Sequence, residues 1–388
     1  MAGPLALPVV QPTALVQPRR FSYSSLQQMR QCARRWQLHH ARYGDQTGYP
    51  ESFSPAAEQG RLVHRLVSLL FRAMAAAGNP APGSPAFQAA ARELNALGKA
   101  TTLLREVQQK LTTHPRHRGQ QLRATAIEIY SAAAQLFQRE YRPASHPPDS
   151  PPSRAWSGEA SAGRSPDASQ EALAQRLARQ GRLSEQSLAH PSLPLHGIVD
   201  LLVQDPRGAI VIDFKTGAPQ ASHREQIELY GLLWWRQEGI LPERGEVRYG
   251  TQAEAVPLEE ATLHRLERVL AEDIARLQLT LASEAPATPG EHCRHCSVRP
   301  LCDRYWQEPM PDAAWVDAEV RIEGHDALGL RGHLPSGQAA RVLLPHALAP
   351  LRAELGAGAR TRWLNLRRAG ETTALEATPQ TEVFVVPE

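Results

Sequence analysis

Hydrophobic positions along the chain follow two rhythms. Up to about residue 310, stretches with a 3.6-residue apolar period alternate with a few short, continuous apolar runs; beyond 315, short runs of strand character take over. The helical rhythm predicts helices over 21–43, 58–77, 87–112, 118–141, 168–180, 221–238 and 257–283. In the first, Ser22 or Ser24 can act as cap, and Leu26, Met29, Ala33, Trp36 and Leu38 supply the apolar face. Strands are predicted at 182–188, 198–203, 209–214 and 246–250. The middle two flank Asp205-Pro206-Arg207-Gly208, whose turn chemistry makes 195–217 a β-hairpin. Later strands are predicted at 315–323, 327–333, 340–344, 361–367 and 372–386, with a short helix at 346–355 between the third and fourth.

Other stretches punctuate this pattern. Residues 79–86 form a Pro/Gly/Ser loop, and 143–170 hold six Pro with little apolar content, the composition of a flexible excursion. Residues 1–20 are apolar and Pro-containing without an early basic region, so a disordered tail is expected rather than a signal peptide. The expected organisation is a tail (1–20), an α/β unit (21–310) with a helical insertion and flexible loop at 79–170, and a β-rich unit (311–388). A chain of 388 residues has room for two or three domains.

Composition narrows the class. With 42% hydrophobic and 21% charged residues and no run of 18 apolar positions, the expectation is a soluble protein without a membrane span. The net charge of +3 neither demands nor excludes nucleic acid. Four cysteines without a secretion signal argue against a disulfide framework and for a cytoplasmic protein with a metal or cluster site.

Candidate chemistry centres on the hairpin. Asp200 and Asp213 sit one on each strand, and Lys215, two residues past Asp213, points to the same face. Paired carboxylates suit Mg²⁺ or Mn²⁺. Asp213 follows Ala-Ile-Val-Ile, a buried-strand run in which an idle carboxylate is costly. Only three lysines occur, at 99, 110 and 215, so a lysine beside this carboxylate marks a place that needs a compact ammonium. Gln226 and Tyr230 share one helix face. Cys293-Arg294-His295-Cys296 is C-x₂-C, and Cys302 follows after five residues; structural zinc with His292, His295 or Cys32 as fourth ligand, or an iron–sulfur cluster on all four thiolates, both fit. Arg116, Arg118 and Arg123 form a basic stretch, read as a solvated face or a phosphate contact.

Asp213-Phe214-Lys215-Thr216-Gly217, preceded by Gly197-Ile198-Val199-Asp200, resembles the core of the RecB-like branch of the PD-(D/E)XK nucleases. The resemblance spans about residues 21–306, with 79–170 matched only loosely, and takes in Gly60-x-x-x-His64, Glu185 and Gln226-x-x-x-Tyr230 in family order. Cys32 on an early helix with Cys293, Cys296 and Cys302 after the core resembles the iron–sulfur nucleases, AddB and the CRISPR-associated RecB-like exonucleases. It implies a restriction-endonuclease-like α/β core with helical additions, and Mg²⁺- or Mn²⁺-dependent hydrolysis of DNA, as an exonuclease on single-stranded or free ends. His64, Asp200, Asp213 and the backbone carbonyl of Phe214 would hold the ion. Lys215 would assist the attacking water, Glu185 would support metal or water, and Gln226 and Tyr230 would position the strand. A 4Fe-4S cluster, with zinc as the alternative, would tie Cys32 to Cys293 and close a loop of roughly 260 residues.

Five strands with a helix after the third is also the order of an OB-like β-barrel, a fold that often binds single-stranded nucleic acid. Arg360, Arg362 and Trp363, with Arg367 and Arg368, are the candidate nucleic-acid contacts there. No Walker A sequence occurs, so a helicase or ATPase motor would be a separate partner subunit. The competing expectation is a non-catalytic, cluster-stapled DNA-binding subunit of a helicase–nuclease complex.

Overall fold

The computed structural model describes residues 6–52, 54–114, 116, 122–143, 172–215, 218–249, 252–307, 315–369 and 374–387. The expected flexible excursion at 143–170 lies almost wholly outside the described residues, as do Arg118, Thr216 and Gly217.

A short strand, β1 (Ala6–Pro8), precedes two helices, α1 (Tyr23–Gln31) and α2 (Ala33–His40), and a small hairpin, β2 (Arg42–Tyr43) with β3 (Gln46–Thr47). Ser22 and Ser25 start α1 with a capping box. The single helix expected over 21–43 is instead broken at Cys32, whose extended backbone (φ −161°, ψ 104°) ends α1 and begins α2. Helix α3 (Pro55–Ala76) starts at Ser54, which caps the Ala57 N–H, with Pro55 in the first turn. The helix expected at 87–112 is also two, α4 (Pro85–Leu94) and α5 (Ala96–Thr113), hinged at Asn95 in the left-handed region (φ 48°). A Thr125–Glu128 capping box opens α6 (Ala126–Glu140), and Gly181, also left-handed, closes α7 (Leu173–Gln180).

The central sheet follows: β4 (Arg182–Ala189), β5 (His196–Asp205), β6 (Gly208–Lys215), helix α8 (Ala221–Glu238), β7 (Arg244–Tyr249), β8 (Gln252–Val256) and helix α9 (Glu260–Leu281). Strand order equals chain order, from β4 to β8. The predicted hairpin forms with Asp205 paired to Gly208, and the Asp205 carboxylate accepts the Arg207 N–H across the turn. Helix α8 is the crossover that makes β6 and β7 parallel. Strand β8 escapes sequence reading because Gln252 to Ala255 are exposed and poor in β-branched residues.

The two faces of the sheet carry different helices. Val199, Leu202 and Val211 pack with residues of α1, α2, α7, α8 and α9, among them Leu26, Trp36, Leu177, Tyr230 and Ile274. Leu201, Ile210, Ile212 and Phe214 pack with α3 to α6. Strand β6, buried at every position from Gly208 to Phe214, is therefore the middle of an α/β/α sandwich.

After a short helix α10 (Asp303–Gln307), the chain builds a closed five-stranded barrel from β9 (Val316–His325), β10 (Gly329–His333), β11 (Ala339–Leu343), β12 (Arg360–Arg368) and β13 (Ala374–Glu376). A short helix α11 (Leu351–Glu354) lies between the third and fourth of these, β11 and β13 run parallel, and β12 closes back on β9. The run expected at 372–386 is two strands, β13 and β14 (Glu382–Val386); β14 pairs with β12 outside the barrel. Residues 6–10 depart from the expected tail: β1 runs parallel to β14, and Val9 is buried with Leu38, Leu364 and Phe384. Apolar and β-branched residues gave that segment a face to bury.

Candidate active site

The described part of the hairpin motif converges where β5 begins and β6 ends. Alternation should put Val199 and Leu201 on one sheet face, yet Val199 belongs to the α8 side and Leu201 to the α3 side. The phase slips at Asp200. On β4, the pairs Ser184↔Leu201 and Gln186↔Val199 bracket Glu185, which sits in the left-handed region (φ 48°) opposite that slip. Such a local irregularity re-aims side chains at a sheet margin. Asp200 Oδ2 accepts the Phe214 backbone N–H at 2.8 Å and lies 3.7 Å from His64 Nδ1 of α3.

Across the sheet, Lys215 Nζ lies 2.8 Å from Asp213 Oδ2 and donates to Gln226 Oε1 at 2.7 Å. Gln226 Nε2 in turn donates to Tyr230 Oη at 2.7 Å. Residues Asp213, Lys215, Gln226 and Tyr230 thus form one chain from β6 to α8. Gly197 makes room for its last member, since a Cβ there would lie 2.5 Å from Tyr230 Cε1.

Electrostatics mark the same place. Burial, then the charge of Asp200, pushes the Asp213 carboxyl up to about 6 against the pull of Lys215 and His64. For His64, burial disfavours the charged ring, but Asp200 and Asp213 outweigh it and the imidazole pKa is raised. Burial and then the charge of Asp213 raise the Tyr230 hydroxyl.

Among the described residues, no three His, Cys, Asp or Glu side chains stand close enough, as placed, to grip an ion. The donor set still suits a hard cation. Asp213 is 3% exposed, and its Oδ2 has the Lys215 ammonium beside it but no aligned hydrogen-bond donor. Two carboxylates and an imidazole around such an oxygen match Mg²⁺ or Mn²⁺ chemistry.

Glu185 is drawn elsewhere. Its carboxylate pairs with Arg72 of α3 at 2.8 Å and makes no described hydrogen bond to the Asp213–Lys215 chain. His223 and Tyr249 stand beside Lys215 unanticipated: His223 Nδ1 is 3.0 Å from Tyr249 Oη, and Tyr249 is the in-register neighbour of Lys215. The available signal was spacing, since His223 lies three residues before Gln226 on the same helix face.

The cysteines come together. Cys32, Cys293, Cys296 and Cys302 line one cavity with Arg34, Arg35 and His292, and all four are free thiols. The break at Cys32 is what delivers the first of them. The Thr288 N–H approaches Cys32 Sγ at 3.5 Å. Burial pushes the Cys296 thiol up to about 11 and raises Cys302. Three buried thiols and the half-buried Cys302 around one cavity suit a thiolate-bound metal group, which would take the place of their protons.

Two of the barrel candidates for nucleic-acid contact, Trp363 and Arg362, are corrected. Trp363 is fully buried in the barrel core, with its indole N–H on Thr361, and offers no face to a base. Arg362 is 2% exposed and is held by the Pro300 carbonyl, Asp303 and Glu319. Arg360 remains half-exposed but pairs with Glu319 at 2.6 Å. Arg116 is likewise buried, bridging Glu382 and the carbonyls of Pro50 and Ser297, rather than lying on a solvated face.

Comparison with known proteins agrees with this geometry. The family model described as "PD-(D/E)XK nuclease superfamily" matches residues 20–303, most of the chain. The chain belongs to the PD-(D/E)XK nuclease superfamily. Its matched region runs from α1 through the cysteine segment and contains every member of the site just described. No curated protein matches. Among solved structures, one described as "Crystal structure of SSO0001" is similar at 22% identity, over 34% of this chain and 65% of that one, with a TM-score of 0.21. The chain thus spans just under two thirds of that protein. The superfamily generally comprises nucleases that use divalent metals. No helix among the described residues is long and apolar enough to cross a membrane.

Proposed function

We propose that this PD-(D/E)XK protein is a RecB-like DNA exonuclease that works on single-stranded or free ends in repair, recombination or defence. The observation that carries the reading is the continuous chain Asp213–Lys215–Gln226–Tyr230, with Asp200 and His64 against its other side. His64, Asp200, Asp213 and the Phe214 carbonyl would hold Mg²⁺ or Mn²⁺. Bound there, the ion supplies Lewis-acid stabilisation of the phosphate and an acidified water. Lys215, already fixed by Gln226, offers its ammonium to the charge that builds on the phosphate. Gln226 and Tyr230 set the lysine and the strand at a constant distance from β6. Glu185 enters only by leaving Arg72.

The same reading assigns the cysteine cavity to a 4Fe-4S cluster that ties α1–α2 to 291–302, and gives 311–388 to an OB-like domain. One observation favours zinc as the alternative. His292 Nε2 lines the cavity region buried and without a hydrogen-bond partner, while the Thr288 backbone engages the ring. A helicase or ATPase partner in the cytoplasm completes the proposal.

Linear and circular single-stranded DNA, each incubated with protein and Mn²⁺, test it. An exonuclease degrades the linear form and spares the circle. Equal cleavage of both refutes exonuclease action. Iron and zinc analysis of anaerobically purified protein, with Cys293→Ala as control, decides between about four irons and one zinc per chain.

A further inference from the structure

We propose that His223 contacts the substrate, donating a hydrogen bond from Nε2 to a non-bridging oxygen of the nucleic-acid phosphate held at Lys215. The inference rests on the nuclease reading above and adds a residue to it.

Position comes first. His223, Gln226 and Tyr230 follow at i, i+3 and i+7 on α8, so they form one stripe along the helix. Gln226 and Tyr230 already reach the end of β6. His223 lies one turn nearer the start of α8. There it meets Tyr249, the residue beside Lys215 in the parallel β6–β7 ladder. The His223 and Tyr249 rings are 5.6 Å apart. The histidine is half-buried and ordered by this partner from one side only.

One hydrogen bond, 3.0 Å long, joins Tyr249 Oη and His223 Nδ1. With the Tyr249 hydroxyl as its donor, the remaining ring proton stands on Nε2. No described protein group takes a hydrogen bond from Nε2. Burial first, and then the Lys215 ammonium, holds the imidazole below its usual pKa, while Glu254 pulls the other way. The ring is therefore a neutral, oriented N–H donor near neutral pH.

What it would bind follows from its neighbours. The Lys215 ammonium, the His223 N–H and the first turn of α8, which carries no acid and no side-chain cap, all present positive charge or donors at one rim. An acceptor-rich anion fits there, and a nucleic-acid phosphate is that anion beside a phosphodiester-cleaving centre.

The test uses the full-length protein and a fluorescein-labelled single-stranded oligodeoxynucleotide. Affinity is read by anisotropy in EDTA, and KM and kcat are read in Mn²⁺. His223→Ala should weaken binding about tenfold or more, as expected for one lost hydrogen bond to a charged group, and should raise KM more than it lowers kcat. His223→Gln keeps an N–H donor at similar reach and should stay within about threefold of wild type. Tyr249→Phe, which frees the tautomer, should fall between them. Wild-type affinity in His223→Ala overturns the proposal. So does a His223→Gln variant that melts normally yet binds as weakly as His223→Ala. Wild-type protein that binds but never cleaves would defeat the nuclease reading while leaving this comparison intact; wild-type protein that does not bind at all would defeat both.

Discussion

Gly197 lies directly beneath the ring of Tyr230, and a Cβ on residue 197 would sit 2.5 Å from Tyr230 Cε1. The glycine of the Gly-x-x-Asp stretch is thus a packing requirement of the Gln226–Tyr230 pair across the sheet. Gly197→Ala should displace the tyrosine, break the 2.7 Å bond to Gln226 and loosen Lys215. We expect about 1–3 kcal/mol of destabilisation from overpacking, with a larger fractional loss of cleavage than of fold. Denaturant unfolding and a cleavage assay, run side by side, check this.

Lys215 bridges Asp213 and Gln226, 2.8 and 2.7 Å away. Lys215→Ala should lower cleavage by roughly two to three orders of magnitude, the scale of losing a preorganised donor at the reacting phosphate. Lys215→Arg should rescue little, because a planar guanidinium does not fit a slot shaped for a compact ammonium. Steady-state rates with unchanged circular dichroism check both.

Glu267 of α9 holds α8 in place, accepting from His190 Nε2 at 2.9 Å and from Arg236 Nε at 3.0 Å. Burial raises its pKa, but the hydrogen bonds from Arg236 and His190 outweigh it, and the carboxyl is held below its usual value. A depressed carboxyl stabilises the fold fully above its unfolded pKa, and that contribution fades as pH falls through the folded one. Glu267→Gln should therefore cost about 1–2 kcal/mol near pH 7, and the gap to wild type should close as pH drops below about 4. Chemical unfolding from pH 3 to 7 reads this directly.

Trp363 fills the barrel rather than facing a nucleic acid. Trp363→Ala should cost about 3–5 kcal/mol through the cavity it leaves, with DNA affinity of the still-folded fraction unchanged. Thermal melts paired with anisotropy titrations separate the two effects.

What the sequence disclosed depended on how local the cause was. The β5–β6 hairpin was legible because Asp205-Pro206-Arg207-Gly208 makes its own turn. Helix α8 was legible because its apolar period and its Gln226/Tyr230 spacing lie within one element. The order of the barrel strands was legible from apolar runs alone. Glu185 was not, because a distant arginine on α3 and a left-handed backbone decide where its carboxylate goes. Trp363 was misread because β12 is buried on both sides from Thr361 to Leu364, with Trp363 in the barrel core and Leu364 packed with α2 and the cysteine segment. No alternation was left to tell inside from outside. Cys32 read as a mid-helix residue because nothing in its neighbours signals a break; the cysteines that share its cavity lie some 260 residues along the chain.

Whether Asp213 and its neighbours form a working metal-dependent nuclease site is read most directly with end-labelled single-stranded DNA. Wild-type protein and Asp213→Ala would be compared in Mn²⁺, in Mg²⁺ and in EDTA. Wild type should cleave in a reaction that EDTA abolishes, and Asp213→Ala should lose at least about a thousandfold with its fold intact. Cleavage by Asp213→Ala at the wild-type rate, or no cleavage by folded wild-type protein in either ion, would contradict that role for the site.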